Sequence, residues 1–209
     1  MRPQRVLNPR PRKQSLQSLL IQCEGSKTEP NYLDELCRAC RVRQRLEVKV
    51  KPGRGQNARV TVEAAIAEGR RKIQGQHVYD TVYCVLDVEH AAHEATLNEA
   101  IALANEHNIR LFLSNPSFEI WLLAHFERIT RDFTDGTAAE THLNTHWRKQ
   151  FSAGYDKGDP KLFVKLLDRI GTAVDNSRWL LEVFHENASC RGSNSSTEVY
   201  QLVQELLNT

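Results

Sequence analysis

No apolar run in the chain approaches the ~20 residues that a helix needs to cross a bilayer, and the first hydrophobic stretch stops at Glu24. No apolar segment directly follows the early positive charges, so the form of a secretory leader is missing too. These two absences predict a cytoplasmic protein with no membrane partner. Charge of one sign is also lacking: the formal net charge is +2, too small to advertise nucleic acid or a membrane surface by itself. Cysteine is sparse and odd in number, with Cys23, Cys37, Cys40, Cys84 and Cys190 unevenly spaced, which argues against a disulfide framework. Cys37 and Cys40 form a lone C-x-x-C with no second pair to close a tetrahedral zinc site, so they read as reduced helical thiols. "HEATL" at 93–97 lacks the second His of a zincin, and "GRGQN" at 53–57 lacks the Lys-Ser/Thr of a P-loop. No internal repeat or low-complexity segment is present.

What remains is a globular composition, 40% hydrophobic and 26% charged over 209 residues, enough for one full domain with an extension. Residues 1–13 carry four Arg, one Lys, three Pro and no acid. The boundary is therefore set at 15, with 1–15 a basic flexible arm, either touching phosphates or simply solvated. Residues 16–209 form a single domain, with an α/β core over about 16–130 and a mainly helical extension over about 131–209.

Within the core, strand and helix patterns alternate. Residues 16–23, 46–51, 80–90 and 109–116 read as strands. Helical spacing begins at Pro30 with Tyr32, Leu33, Leu36 and Cys40, and continues in 58–73, 93–108 and 117–129. The apolar run "IWLLAHF" at 120–126, with Trp121, reads as core packing. Beyond 130 the pattern predicts helices at 137–150, 160–173, 176–187 and 196–208. Alternation of this kind implies a mostly parallel sheet covered on both faces.

Open α/β sheets bind ligands at the carboxyl ends of their strands. Here those ends are polar: Glu24 after the first strand, Asp87 and Glu89 after "VYCVL", and Ser114-Asn115 after "LFL". Residues two apart on an extended backbone point the same way, so Asp87 and Glu89 would share a face. Three carboxylates crowded together repel unless a cation sits among them, and hard oxygens favour Mg²⁺ or Mn²⁺. Such an ion orients phosphate oxygens and activates water. Asp87 or Glu89 could instead cap the helix that follows, the favoured reading for one such acid alone; three at matching positions favour a site. Glu119, near the start of a helix at the same edge, is either a further metal ligand or an acid favoured by the helix N-terminus. Arg54, in the loop 53–57, is a candidate phosphate grip. His90 is a candidate proton carrier or phosphate contact, and His93 reads as the start of the next helix.

Glu24 in "EG" after a strand, followed by Asp87-x-Glu89 after a later strand, resembles the Toprim pattern of a Glu and an acidic pair. More narrowly, "CEGSKTEPNY", "LDVEH", "SNPSFEIWLLAHF" and "NSSTEV" resemble, in order and across nearly the whole chain, the RloB-like family. The resemblance implies a Toprim-like, mostly parallel sheet flanked by helices, and a nuclease linked to restriction-modification and phage defence. It places Gly25, Asn115 and Ser117 beside the site, although the residues themselves read Asn115 and Ser117 as shaping the turn and capping the next helix, and it likens Lys157 in "GYDKGD" to a family Tyr-x-Lys element able to stabilise a pentavalent phosphate. Glu89 stands where the family usually has Asp, its extra methylene displacing the carboxylate; Val88 replaces a commonly polar residue, and "NSSTEV" an Asn-Pro start.

The leading expectation is a Mg²⁺- or Mn²⁺-dependent endonuclease acting on RNA, tRNA among the candidates, or on DNA. Glu24, Asp87, Glu89 and Lys157 would carry the chemistry, and Glu24, Asp87, Glu89 and Glu119 the metal. Expected partners are the nucleic acid, an ATPase or other defence protein, and a second copy of the chain. The alternatives are a non-catalytic defence subunit that binds nucleic acid or a nucleotide, and a different phosphoryl enzyme such as a nucleotidyl transferase.

Overall fold

The computed structural model describes residues 16–54, 57–88, 94–186 and 188–208. The basic arm at 1–15, Glu89, His90 and His93 lie outside the described residues.

Strand β1 (Gln17–Cys23) leads into helix α1 (Thr28–Ala39), strand β2 (Leu46–Lys51) and helix α2 (Ala58–Gly69). A small hairpin, β3 (Lys72–Ile73) and β4 (Gln76–His77), precedes β5 (Thr81–Asp87), α3 (Glu94–Glu106) and β6 (Arg110–Asn115). The main sheet has five strands in the order β2-β1-β5-β6-β7, where β7 is Ser196–Thr197. The first four are parallel and β7 runs antiparallel to β6. This is the mostly parallel, helix-flanked α/β sheet expected from the alternating pattern.

Burial explains the strand compositions. The central strand β1 is buried continuously from Leu19 to Cys23, because helices cover both its faces. The outer strand β2 alternates instead, with Leu46, Val48 and Val50 inward and Glu47 and Lys49 in solvent. Helix α1 presents Tyr32, Leu33, Leu36 and Cys37 to the core at helical spacing. Helix α2 starts where the Asn57 side chain accepts a hydrogen bond from the Val60 amide at 3.0 Å, an N-cap.

Several sequence-based boundaries move. The helix expected over 58–73 stops at Gly69, because Gln74 and Gly75 both take positive φ, 51° and 84°, and turn the chain into the β3–β4 hairpin. The helix expected over 117–129 is α4 (Glu119–Ala124), six residues long. After α5 (Gly136–Phe151), the stretch expected as two helices over 160–187 is α6 (Leu162–Leu166), one 3₁₀ turn and α7 (Ile170–Trp179), running on as a π-helical turn to Phe184. The expected helix over 196–208 begins later, as α8 (Val199–Asn208). Its first two residues are instead β7, paired as Ser114↔Thr197 and Asn115↔Ser196. The C-terminal third thus completes the main sheet as well as covering it. No helix among the described residues is long and apolar enough to cross a membrane.

Between α1 and α4 the core is aromatic. Tyr32 meets Phe118, Trp121, His125 and Phe163 edge to face, with ring centroids 5.2–6.1 Å apart. Trp121 is fully buried, as expected of a packing residue. His125 is buried with it. One ring nitrogen lies 3.0 Å from the Trp121 carbonyl oxygen and the other 3.2 Å from the Tyr32 hydroxyl, a pattern that suits the neutral imidazole with Nδ1–H donating to the carbonyl. Burial pushes its pKa down to about 4.

That depression has a definite sign. Below about pH 6.5 the unfolded chain takes up a proton at His125 that the folded chain refuses until about pH 4, so stability present above that window drains as the pH falls through it. At about 1.4 kcal/mol per pH unit, the total is on the order of 3 kcal/mol. The stability advantage of wild type over His125→Gln, which never charges, should therefore shrink from pH 7 to pH 4 in denaturant titrations; a constant gap would show that His125 titrates alike in both states.

Candidate functional site

The central strand pair determines what meets at the sheet edge. β1 and β5 run parallel in the register Cys23↔Val85, and the Glu24 amide continues their ladder by donating to the Val85 carbonyl oxygen at 3.1 Å. Glu24 and Asp87 thereby emerge at one edge, and Glu24 Oε2 accepts a hydrogen bond from the Asp87 amide at 3.2 Å. β6 ends beside them, with Asp87 paired to Ser114.

Two glycines let the backbone close in around Glu24. A Cβ on Gly53 would strike the carbonyl oxygens of Cys23 and Glu24, and the Gly53 amide donates to the Gly25 carbonyl oxygen at 2.9 Å. A Cβ on Gly25 would strike the carboxylate of Glu29, whose Oε1 accepts from the Gly25 amide at 2.8 Å. The turn after β1 is thus built around a second carboxylate that the sequence reading missed. Glu29 is buried at the start of α1. Its burial pushes the carboxyl pKa up and the Glu119 charge adds to this, against the opposing backbone amides of Glu29 and Gly25 and the Lys157 charge. A signal was present in "EGSKTEP": an acid one turn beyond a Gly that directly follows a strand can fold back onto that turn.

Glu119 is the first residue of α4 and is buried. Ser117 Oγ donates to its Oε2 at 2.7 Å, and the Tyr155 hydroxyl approaches Oε1 at 3.4 Å. Lys157 Nζ lies 3.2 Å from Glu119 Oε1 and 2.9 Å from Glu140 Oε2, Glu140 being on α5. Half-burial works to lower the Lys157 pKa, but the two carboxylates outweigh it and hold the ammonium charged. Burial, then the Glu119 charge, raises the pKa of the Tyr155 phenol. Asn31 Nδ2 donates to the Lys157 carbonyl oxygen at 3.4 Å, tying this loop to α1.

Among these groups lies a cleft of about 180 Å³ whose walls include Gly25, Lys27, Glu29, Asp87, Glu119 and Lys157. The fold thus brings together Glu24, Gly25, Asp87, Ser117, Glu119 and Lys157 of the expected residues. It separates two others. Asn115 turns inward, donating to the carbonyl oxygens of Cys190 and Arg191 at 3.1 and 3.2 Å, and so holds the β6–β7 corner. Arg54 lines a different groove, with Lys51 and Glu68, outside the cleft. The five cysteines are free thiols.

The cleft's carboxylate oxygens are hard donors and suit Mg²⁺ or Mn²⁺ in kind. Among the described residues, the acid and imidazole groups whose three ligand atoms lie within 4.8 Å of one another are Glu127, His142 and His146, outside this cleft. The family model for RloB-like protein matches residues 19–206, nearly the whole chain. No curated protein and no solved structure matches it.

Glu29 supplies a direct check on the electrostatics of the cleft. Its pKa is raised, so the charged form is penalised only in the folded state, and the penalty grows as the pH rises above the ordinary 4.5. In chelator-treated protein, Glu29→Gln should gain melting temperature relative to wild type between pH 4 and pH 8. A relative loss over that range would mean that the Gly25 amide and Lys157 stabilise the carboxylate more than burial penalises it.

Proposed function

Because the chain belongs to the RloB-like family, we propose that it is a metal-dependent enzyme that cleaves phosphodiester bonds of RNA or DNA in antiphage defence, on a Toprim-like scaffold. The observation that carries this reading is the side-by-side emergence of Glu24 and Asp87 from adjacent parallel strands, Glu24 reaching the Asp87 amide at 3.2 Å. These two acids, with Glu119 beside them, are the residues that would hold Mg²⁺ or Mn²⁺. Glu89, outside the described residues, is the remaining member of the set. Bound there, the ion supplies charge neutralisation at a phosphate and a more acidic water.

The chain's own groups divide the remaining work. Lys157 is held by Glu119 and Glu140 yet keeps 44% of its side-chain surface exposed, so its ammonium can meet a phosphate oxygen entering the cleft. Ser117 and Tyr155 keep the Glu119 carboxylate oriented toward that lysine. Glu29, its pKa raised by burial, retains a proton to higher pH than an exposed acid and can donate it to a leaving oxygen. Glu24 serves as general base or as metal ligand. An ATPase or other defence protein is the partner such a small nuclease would answer to.

A second reading has one observation in its favour. The described acids of the cleft do not form a three-ligand group as close as 4.8 Å, which suits a subunit that binds nucleic acid or a nucleotide without cutting it.

Cleavage assays over tRNA, single-stranded RNA and both forms of DNA separate the two. Chelator-reversible cutting should fall at least ~10²-fold in Glu24→Gln, with the fold intact. Failure of the wild type to cut any of these with Mg²⁺ or Mn²⁺, its partner proteins present, would overturn the enzyme reading. Mg²⁺ should also raise the wild-type melting temperature by mass action, and Asp87→Asn should lose that gain; an equal response in both would remove Asp87 from the metal.

A further inference from the structure

We propose that Glu127, His142 and His146 form a second metal site, of zinc type and separate from the carboxylate cleft. His142 and His146 are one turn apart on α5, so their rings share a helix face. Glu127 sits just past α4, its amide still bonded to the Leu123 carbonyl oxygen at 3.2 Å. One carboxylate oxygen lies 2.7 Å from His142 Nε2 and the other 3.3 Å from His146 Nε2, and the three ligand atoms fall within 4.8 Å of one another.

The rings are held in place rather than free to swing. His142 packs on Phe133 at 5.5 Å, His146 on Phe126 at 5.7 Å, and the two imidazoles lie 5.0 Å apart. The three side chains keep 19–30% of their surface, so the ligand atoms are preorganised while an ion still has a way in. Two imidazole nitrogens and one carboxylate oxygen, with water in the fourth position, suit a tetrahedral Zn²⁺. The same set is a poor match to Mg²⁺, which prefers oxygen ligands in an octahedron. The two sites therefore select different ions by donor chemistry.

Position gives this site a consequence. α4 begins at Glu119 and α5 carries Glu140, the two carboxylates that hold Lys157 in the cleft. A Zn²⁺ joining Glu127 to α5 ties the segment that follows α4 to the helix that carries Glu140.

The full-length chain, stripped with chelator, should bind one Zn²⁺ per chain in competition with a chromogenic chelator, and equimolar Mg²⁺ should not displace it. Affinity should drop at least about tenfold in His142→Gln and again in His146→Gln, and stay unchanged in Asp87→Asn. No Zn²⁺ bound by the wild type, or binding undiminished in both histidine variants, would overturn the site. A readout on the wild type covers variants that fail to fold: Zn²⁺ should protect His142 and His146 from diethyl pyrocarbonate, mapped by mass spectrometry. Co²⁺ should give a four-coordinate visible spectrum without a thiolate charge-transfer band. Unprotected histidines, or a thiolate band pointing to the cysteines, would equally refute it.

Discussion

A parallel sheet covered by helices on both faces leaves its central strands no solvent-facing side, so a charge can be placed only where a strand ends. Everything at the cleft follows from that constraint acting on β1 and β5. The paired strands are buried from Leu19 to Cys23 and from Cys84 to Leu86, and burial becomes partial at Glu24 and Asp87. The ladder that buries the strands is the same ladder that sets the two acids side by side. The surrounding backbone then adapts to them: Gly53 lets β2's exit loop pass against the Glu24 carbonyl, and Gly25 makes room for the Glu29 carboxylate.

The result is an electrostatic arrangement with more acid than base. Glu24, Glu29, Asp87 and Glu119 gather at one edge, and Lys157 is the cation shown pairing with one of them, shared between Glu119 and Glu140. Hydrogen bonds take up part of the imbalance, with the Asp87 amide donating to Glu24, the Gly25 amide to Glu29 and the Ser117 hydroxyl to Glu119. Burial takes up more by favouring the protonated form of Glu29. Acids held in this way cost stability, which the aromatic core around Tyr32, Trp121 and Phe163 can absorb.

Helices α4 and α5 connect the cleft to the rest of the C-terminal half. Glu119 and Glu140 meet at Lys157, and Glu127 meets His142 and His146 further along. Motion of α5 relative to α4 would reach Lys157 directly, since its ammonium depends on one carboxylate from each.

Strand-helix alternation, the polar endings of three strands and the burial of Trp121 were all readable from hydropathy and spacing, because each depends on neighbours along the chain. So was the meeting of Glu24 and Asp87, since strand order in an α/β sheet brings carboxyl ends to one edge, whereas the sequence left Glu119 open between a ligand and an acid favoured by a helix N-terminus. The sequence left Glu29 hidden, because its role depends on a side chain folding back onto Gly25. It could not separate Asn115 from Ser117, which sit two residues apart yet face Cys190 and Glu119 respectively. Nor could it find β7: Ser196 and Thr197 carry no strand pattern and pair only because β6 offers an open edge. The same holds for Glu127 with His142 and His146, fifteen or more residues from the acid to either ring. Local pattern determines which residues form elements and which way they face; the meeting of side chains from distant segments is settled by packing, and packing is a property of the folded chain alone.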